Sequence, residues 1–346
     1  MPPVDGTGAN GVCLLGEAWG EKEEARQGTP FVGPAGFRLE RMVQQLGASR
    51  AEFLLTNTVW ARPPHNREPT PLEVEVWRPQ WEAAIRDSKI TVVVPLGNVP
   101  LRAVTGHWGI TDRRGYLEWS ERLGCWVLPT VHPSFIMRGK ANWTAAWLRD
   151  VEMALQVAQD GPPQAPERLL SLDPLLTGCW AWSQAWLATG APLAVDIETP
   201  DKGDDEEEAM LAIGAAQGVI LRVGLAYCHQ NRTHALSIPW GAAYSSFVQS
   251  VLASARPALV WNRHFDVPRL RAHHCTAPEW RDVQEAWHVF HPDLPKKLAF
   301  AVPFLVPGQP YWKDQASERP AYYNAVDAAV TAEGYHVLWA GSTTPA

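Results

Sequence analysis

GEAWGEKEEARQGTPFVGPAG, residues 16–36, decides how the first half of the chain folds. It follows the apolar run GVCLLG (11–16) and precedes the helical pattern FRLERMVQQLG (37–47), so it reads as the turn at the C-terminal end of a strand. Its glycines let the backbone pass close to whatever lies over that strand end. The same order repeats outward through FLLTNTV (53–59), helical EVWRPQWEAAIRD (75–87), apolar ITVVVPLG (90–97), a helical turn, WVLPTVHPS (126–134) and amphipathic TAAWLRDVEMALQVAQ (144–159). Alternation of this kind predicts an α/β domain, an α/β/α sandwich with a mainly parallel sheet and a site at strand C-terminal ends.

GPPQAPE (161–167) carries two adjacent prolines and a third nearby, which disfavour helix and central strand alike. The expected division is therefore a domain at 1–160, a Pro-rich linker at 161–168 and a second domain at 169–346. Beyond the linker the order changes. Helical WAWSQAWLA (180–188) precedes the strands LAVDIET (193–199), VILRVGLAY (219–227) and THALSIPW (233–240), then helical FVQSVLASA (247–255) and the strand ALVWN (258–262). Three successive strands followed by helix and strand predict a second α/β domain built on a mixed sheet.

The 346 residues, 46% of them apolar, suffice for two cores. Five cysteines without CxxC spacing argue against a disulfide framework and a zinc ribbon, and fit a reducing compartment. With no basic, apolar leader and no run of about 18 apolar residues, no membrane association is expected. The net charge of −7 is unevenly spread: residues 1–160 hold 17 Lys+Arg against 18 Asp+Glu, and residues 161–346 hold 13 against 19. Part of the excess is the run DDEEE (204–208), read as a solvated loop. Eighteen tryptophans point to indole-rich packing, with an exposed ring able to stack on an unpaired base.

The words GEAWG and GTPFVGPAG (28–36), with TNTVWARPP (56–64), RPPHNREPTP (62–71), ITDRRG (110–115) and LPTVHPSFIMRG (128–139), resemble family 4 uracil-DNA glycosylases in kind and order. The resemblance implies a uracil-DNA glycosylase fold. It implies that Phe31 stacks on an extruded uracil and that Glu17 orients the attacking water or stabilises the sugar cation. By the same resemblance Asn57 would read the pyrimidine edge, since one carboxamide can accept from N3–H and donate to O4. His132 would donate to uracil O2 as charge develops on the leaving base. Glu23 is a second carboxylate at the uracil site, and Arg62, Met137 and Arg138 are the candidate DNA contacts, Met137 and Arg138 in a loop that wedges into the duplex. The chain departs from the family where Trp19 replaces a usual proline and one residue is added between Gly20 and Gly28. The family's iron–sulfur cluster needs four thiolates. Trp60 and Trp77 stand where two of those cysteines align, so no cluster is expected. In a covalent, histidine-linked relative the extra histidine aligns with Glu68; here the nearest histidine is His65.

Asp196 and Glu198 in LAVDIET, Asp266 in NRHFD (262–266), and Tyr323 with Asp327 in YYNAVDAAVT (322–331) resemble the metal-binding set of DEDDy 3′–5′ exonucleases. Residues 196 and 198 share a strand face, and 323 and 327 share a helix face. Two-metal phosphodiester hydrolysis needs such carboxylates. The implied domain is an RNase H-like mixed-sheet exonuclease, with two Mg²⁺ or Mn²⁺ on Asp196, Glu198, Asp266 and Asp327 and with Tyr323 positioning water. HPDLPKKLAFAVPFLVPGQPYWKD (291–314) resembles phage family A DNA polymerases, so a bacterial or phage-infected cytoplasm is the expected setting. The combined expectation is a bifunctional repair enzyme acting on uracil-containing DNA and single-stranded 3′ ends. The rival is a proofreading exonuclease subunit serving a separate DNA polymerase, its glycosylase-like domain only sensing or binding DNA.

Overall fold

The computed structural model describes residues 3–26, 28–200 and 218–342. The run DDEEE lies outside the described residues. The chain divides into two compact units, residues 1–164 with 307–311, and residues 165–306 with 312–346.

The first unit holds a five-stranded sheet in the order β2-β1-β3-β5-β4, from β1 (Val12–Ala18), β2 (Leu54–Val59), β3 (Val92–Pro95), β4 (Glu118–Ser120) and β5 (Cys125–Val127). The four strands expected from the sequence are parallel, and the short β4 adds an antiparallel edge on β5. β2 and β3 are buried along their whole length and β1 up to Gly16. That pattern belongs to a sheet covered on both faces. Helices α1 (Glu21–Ala25), α2 (Pro34–Gln45), α3 (Pro71–Asp87), α4 (Asn98–Thr105), α5 (Ile110–Arg113), α6 (Pro133–Met137) and α7 (Thr144–Asp160) complete the unit. Trp81 on α3 and Trp147 on α7 are fully buried, so these indoles are core.

Register brings the strand ends together. Gly16 pairs with Asn57, and Leu96 just after β3 bridges to Thr130 just before His132. Below His132, Thr130 donates from Oγ1 to Asp150 at 2.6 Å, and the fully buried Arg114 pairs with the same carboxylate through Nε at 2.8 Å.

The second unit opens earlier than its composition suggests. Residues 161–166 are irregular, but Glu167 and Arg168 already belong to a strand, β6 (Glu167–Leu172). Pairing in parallel with β9 (Arg232–Pro239) overrides the nearby prolines. The six-stranded sheet runs β11-β10-β7-β8-β9-β6, with β7 (Leu193–Glu198), β8 (Arg222–His229), β10 (Ala258–Val260) and β11 (Trp280–Asp282). The β7–β8 and β8–β9 pairs are antiparallel and the others parallel, so the sheet is mixed. The helix Leu176–Leu187 follows β6, and the long helix Pro320–Ser342 comes last in the sequence of this unit. Arg168 on β6 pairs with Glu333 of the long helix at 2.8 and 2.6 Å. Gly224 of β8 admits that helix: a Cβ there would lie 2.6 Å from the Asn324 carbonyl oxygen.

Candidate functional sites

In the first unit the strand ends open into two adjoining cavities. One, of about 370 Å³, is lined by Glu23, Phe31, Asn57 and His132; the other, of about 510 Å³, by Glu17, Trp19, Glu68, His132 and Arg138. Phe31 is buried with φ 55°, an uncommon conformation for a non-glycine residue, so neighbouring contacts must hold it there. Arg50 donates to the carbonyl oxygens of Phe31 and Pro30 at 2.9 and 2.7 Å while paired with Asp5. Gly36 passes close beneath, since a Cβ there would lie 1.7 Å from the Phe31 oxygen. Gly16 separates Asn57 from Phe31: a Cβ there would meet Asn57 Oδ1 at 2.2 Å and the Phe31 ring at 2.6 Å.

His132 caps α6, its Nδ1 accepting from the Ser134 backbone N–H at 3.2 Å. An accepting Nδ1 leaves the proton of a neutral imidazole on Nε2. Burial, reinforced by Arg138, pushes His132 down to about 4, so the ring stays neutral near pH 7. Its ring stacks on Phe31 with centroids 6.2 Å apart. Glu17 stands at the end of β1, its backbone oxygen accepting from Thr58 Oγ1 at 2.6 Å. Burial raises its carboxyl, Glu68 raises it further and Arg138 opposes both.

Glu23 accepts from the Val32 and Gly33 N–H groups at 3.0 and 2.9 Å. It therefore ties the Phe31 loop to the start of α2 while lining the cavity. Arg62 is engaged within the chain, with Asn66 at 2.8 Å and with Glu24 and Glu21 at 3.4 and 3.5 Å. Met137 and Arg138 are exposed at the end of α6. Trp19 lies against Gly28, where φ is +89° and a Cβ would fall 2.3 Å from the indole, so the loop has room for this ring. The capping box of Thr70 and Glu73 starts α3 and closes the 62–70 loop, leaving Glu68 on the cavity wall. His65 is exposed and is not among the residues lining either cavity. Trp60 and Trp77 pack with ring centroids 5.9 Å apart in one cluster with Cys13 and Cys125. Burial raises both thiols, Cys125 to about 11.

The Uracil DNA glycosylase superfamily pattern matches residues 4–156. A type-4 uracil-DNA glycosylase of Thermotoga maritima is 36% identical over 147 residues, covering 41% of this chain and 75% of that protein. The chain belongs to the uracil-DNA glycosylase superfamily. A type-4 uracil-DNA glycosylase of Sulfurisphaera tokodaii is 33% identical over 140 residues, 38% of this chain and 63% of that protein. A DNA polymerase of Bacillus phage SP01 is 24% identical over 185 residues, covering 51% of this chain but 19% of the polymerase. The glycosylase cavities thus lie within the matched residues. Among the described residues no helix is long and apolar enough to cross a membrane.

The second unit brings Asp196, Glu198 and Asp327 together, one carboxylate oxygen from each lying within 4.8 Å of the others. β7 presents the first two, and the long helix presents Asp327 one turn beyond Tyr323. Asp266, buried in the first turn of the helix Arg263–Ala272, stands outside that triplet but acts on it through charge. Burial, then Asp327, Glu198 and Asp266, pushes Asp196 well up. Burial and Asp327 raise Glu198 to about 7; burial and Asp282 raise Asp266 to about 8. Buried like charges of this kind favour protonation or a cation.

Three residues at this site carry no assigned role in the sequence reading. Asn324 donates from Nδ2 to Asp196 Oδ2 at 2.8 Å and accepts from Ser237 Oγ at 2.7 Å. Trp312 donates from Nε1 to Asp327 Oδ1 at 2.7 Å. Lys313 reaches both Asp327 oxygens at 2.8 and 2.6 Å and the Tyr323 hydroxyl at 2.9 Å. Burial alone would lower this ammonium, but Asp327 and Tyr323 outweigh it and hold Lys313 above its usual range. Tyr323 is raised to about 12 by burial and Asp327. The available signal was adjacency: Asn324 follows Tyr323, and WKD ends the quoted 291–314 stretch.

Proposed function

We propose that the first unit excises uracil from DNA. The observation that carries this reading is His132, tied through Nδ1 to the backbone N–H and hydroxyl of Ser134, stacked on Phe31 in a cavity shared with Asn57. In this reading Phe31 covers the flipped ring and Asn57 reads its N3–H and O4. The Nε2–H of His132 donates to O2 as negative charge moves onto the departing base, a neutral donor that keeps its proton. Glu17 as carboxylate orients water toward the sugar cation, and Arg138 with Met137 meets the distorted strand. Flipping costs least in single strands and mispairs, so rates should fall from single-stranded U to U·G to U·A.

An iron–sulfur cluster does not fit the residues present. Two buried, protonated thiols and a pair of packed indoles cannot supply four thiolates. Iron and acid-labile sulfide near one cluster per chain in anaerobically purified protein would overturn this.

The second unit we read as a metal-dependent 3′–5′ exonuclease of RNase H-like fold. Its support is the Asp196, Glu198 and Asp327 triplet with Asp266 behind it, on a mixed sheet, and the similarity to a phage DNA polymerase. Mg²⁺ or Mn²⁺ held by these carboxylates would polarise the phosphodiester and lower the pKa of an attacking water. Tyr323 would position that water, and Asn324 keeps Asp196 oriented. The test uses a 5′-labelled single strand with one internal uracil. In EDTA, alkali should reveal one band at the uracil, lost in His132→Ala; with Mg²⁺, a ladder should grow from the 3′ end. The rival, a proofreading subunit for a separate polymerase whose first unit only binds DNA, requires the ladder without the band.

A further inference from the structure

Lys313 is placed as a cation where the nuclease reading requires one. Its Nζ bridges both oxygens of Asp327 and the Tyr323 hydroxyl, all within 2.9 Å, while Trp312 Nε1 fixes Asp327 from another side. Asp327 is also the triplet member contributed by the long helix, so the ammonium and an ion held by the triplet would share a ligand.

Charge counting sets what the site can hold. The ionised carboxylates of Asp196, Glu198, Asp266 and Asp327 with the Lys313 ammonium carry three net negative charges. Asp282 and Arg269, which also act on Asp266, cancel each other. One divalent ion would leave a single negative charge, whereas two would leave a positive one at a half-buried site, and uncompensated charge away from bulk water is costly. A phosphate of DNA supplies the missing negative charge.

We propose that Lys313 occupies one of the two divalent-ion seats until a DNA 3′ end arrives. The ammonium then passes from Asp327 to a phosphate oxygen, and the second ion enters. This rests on the exonuclease reading. It makes Lys313 a positioning residue that couples metal loading to substrate, and so keeps the site half-loaded without DNA.

Mn²⁺ binding to the full chain, followed by the resonance of free Mn²⁺, tests this without turnover. Wild-type protein should bind one ion per chain without DNA and two with a single strand whose 3′-terminal linkages are phosphorothioate. Lys313→Met and Lys313→Gln should each bind two without DNA. Two ions on DNA-free wild type, or one ion with and without DNA, would overturn the proposal while leaving the nuclease reading standing; this arm needs no variant. No binding to wild type under any condition would overturn both. Asp196→Asn, expected to lose the first ion, confirms which site is being filled.

Discussion

The two sites solve opposite electrostatic problems. In the glycosylase cavity a basic group is kept neutral: burial and Arg138 disfavour the imidazolium, and a backbone N–H takes the nitrogen that would otherwise choose its tautomer. In the second unit acidic groups are crowded until they resist ionisation, with Glu198 near 7 and Asp266 near 8. In the proposed reading the first site works as folded, because a neutral donor needs no counter-ion. The second is a crowd of carboxylates whose charge Lys313 offsets only in part. A leaving base calls for a weak acid held still, whereas phosphodiester hydrolysis calls for mobile positive charge.

The sharpest break between the two is Asp196→Ala. It should reduce nuclease activity on the order of 10³-fold or more while uracil release is unchanged, measured on one labelled strand with and without EDTA. Parallel loss of both activities would show that the sites are not independent. His132→Ala is the converse, lowering uracil release by about 10²–10³-fold with the nuclease intact. Gly16→Ala should come next: its methyl group would meet Asn57 and Phe31, costing about 1–3 kcal/mol in urea unfolding and raising KM for uracil-containing strands.

Charge predicts a stability contrast. Glu198 and Asp266 titrate higher in the folded protein than in the unfolded chain. Their stabilisation is therefore complete below ordinary carboxylate values near pH 4 and is lost as pH rises through about 7 and 8. In EDTA the melting temperature of the second unit should fall across that window, Mg²⁺ should restore it, and Asp266→Asn should flatten the slope. A slope unchanged by Mg²⁺ would remove the metal from this account. The smallest effect concerns Glu17. Glu68→Gln removes a neighbouring negative charge and should move the acid limb of uracil release to lower pH, whereas Arg138→Gln should move it higher.

Much of the first unit was legible because its strands are continuous apolar runs and its turns are glycine words. GVCLLG, FLLTNTV and ITVVVPLG became β1, β2 and β3, and the site lies at their C-terminal ends. The start of β6 was less legible: ERLLSL sits beside prolines, and only pairing with β9 makes it a strand. Asp196 with Glu198, and Tyr323 with Asp327, are two and four residues apart, and local geometry alone puts each pair on one face. Arg62 was read as a DNA contact; what the spacing did not show is that it also reaches Asn66, Glu24 and Glu21, the two glutamates at long range and exposed.

The amino-acid order by itself determined the strand ends, the glycine turns and the paired positions, since these follow from spacings of a few residues and from the steric freedom of glycine. Tertiary structure alone decided the charge state of His132, the tie from Glu23 to the Phe31 loop, and the bond from Lys313 to Asp327 and Tyr323. Each depends on burial and on neighbours brought in by the fold, and desolvation and Coulomb energy follow distance in space rather than separation along the chain.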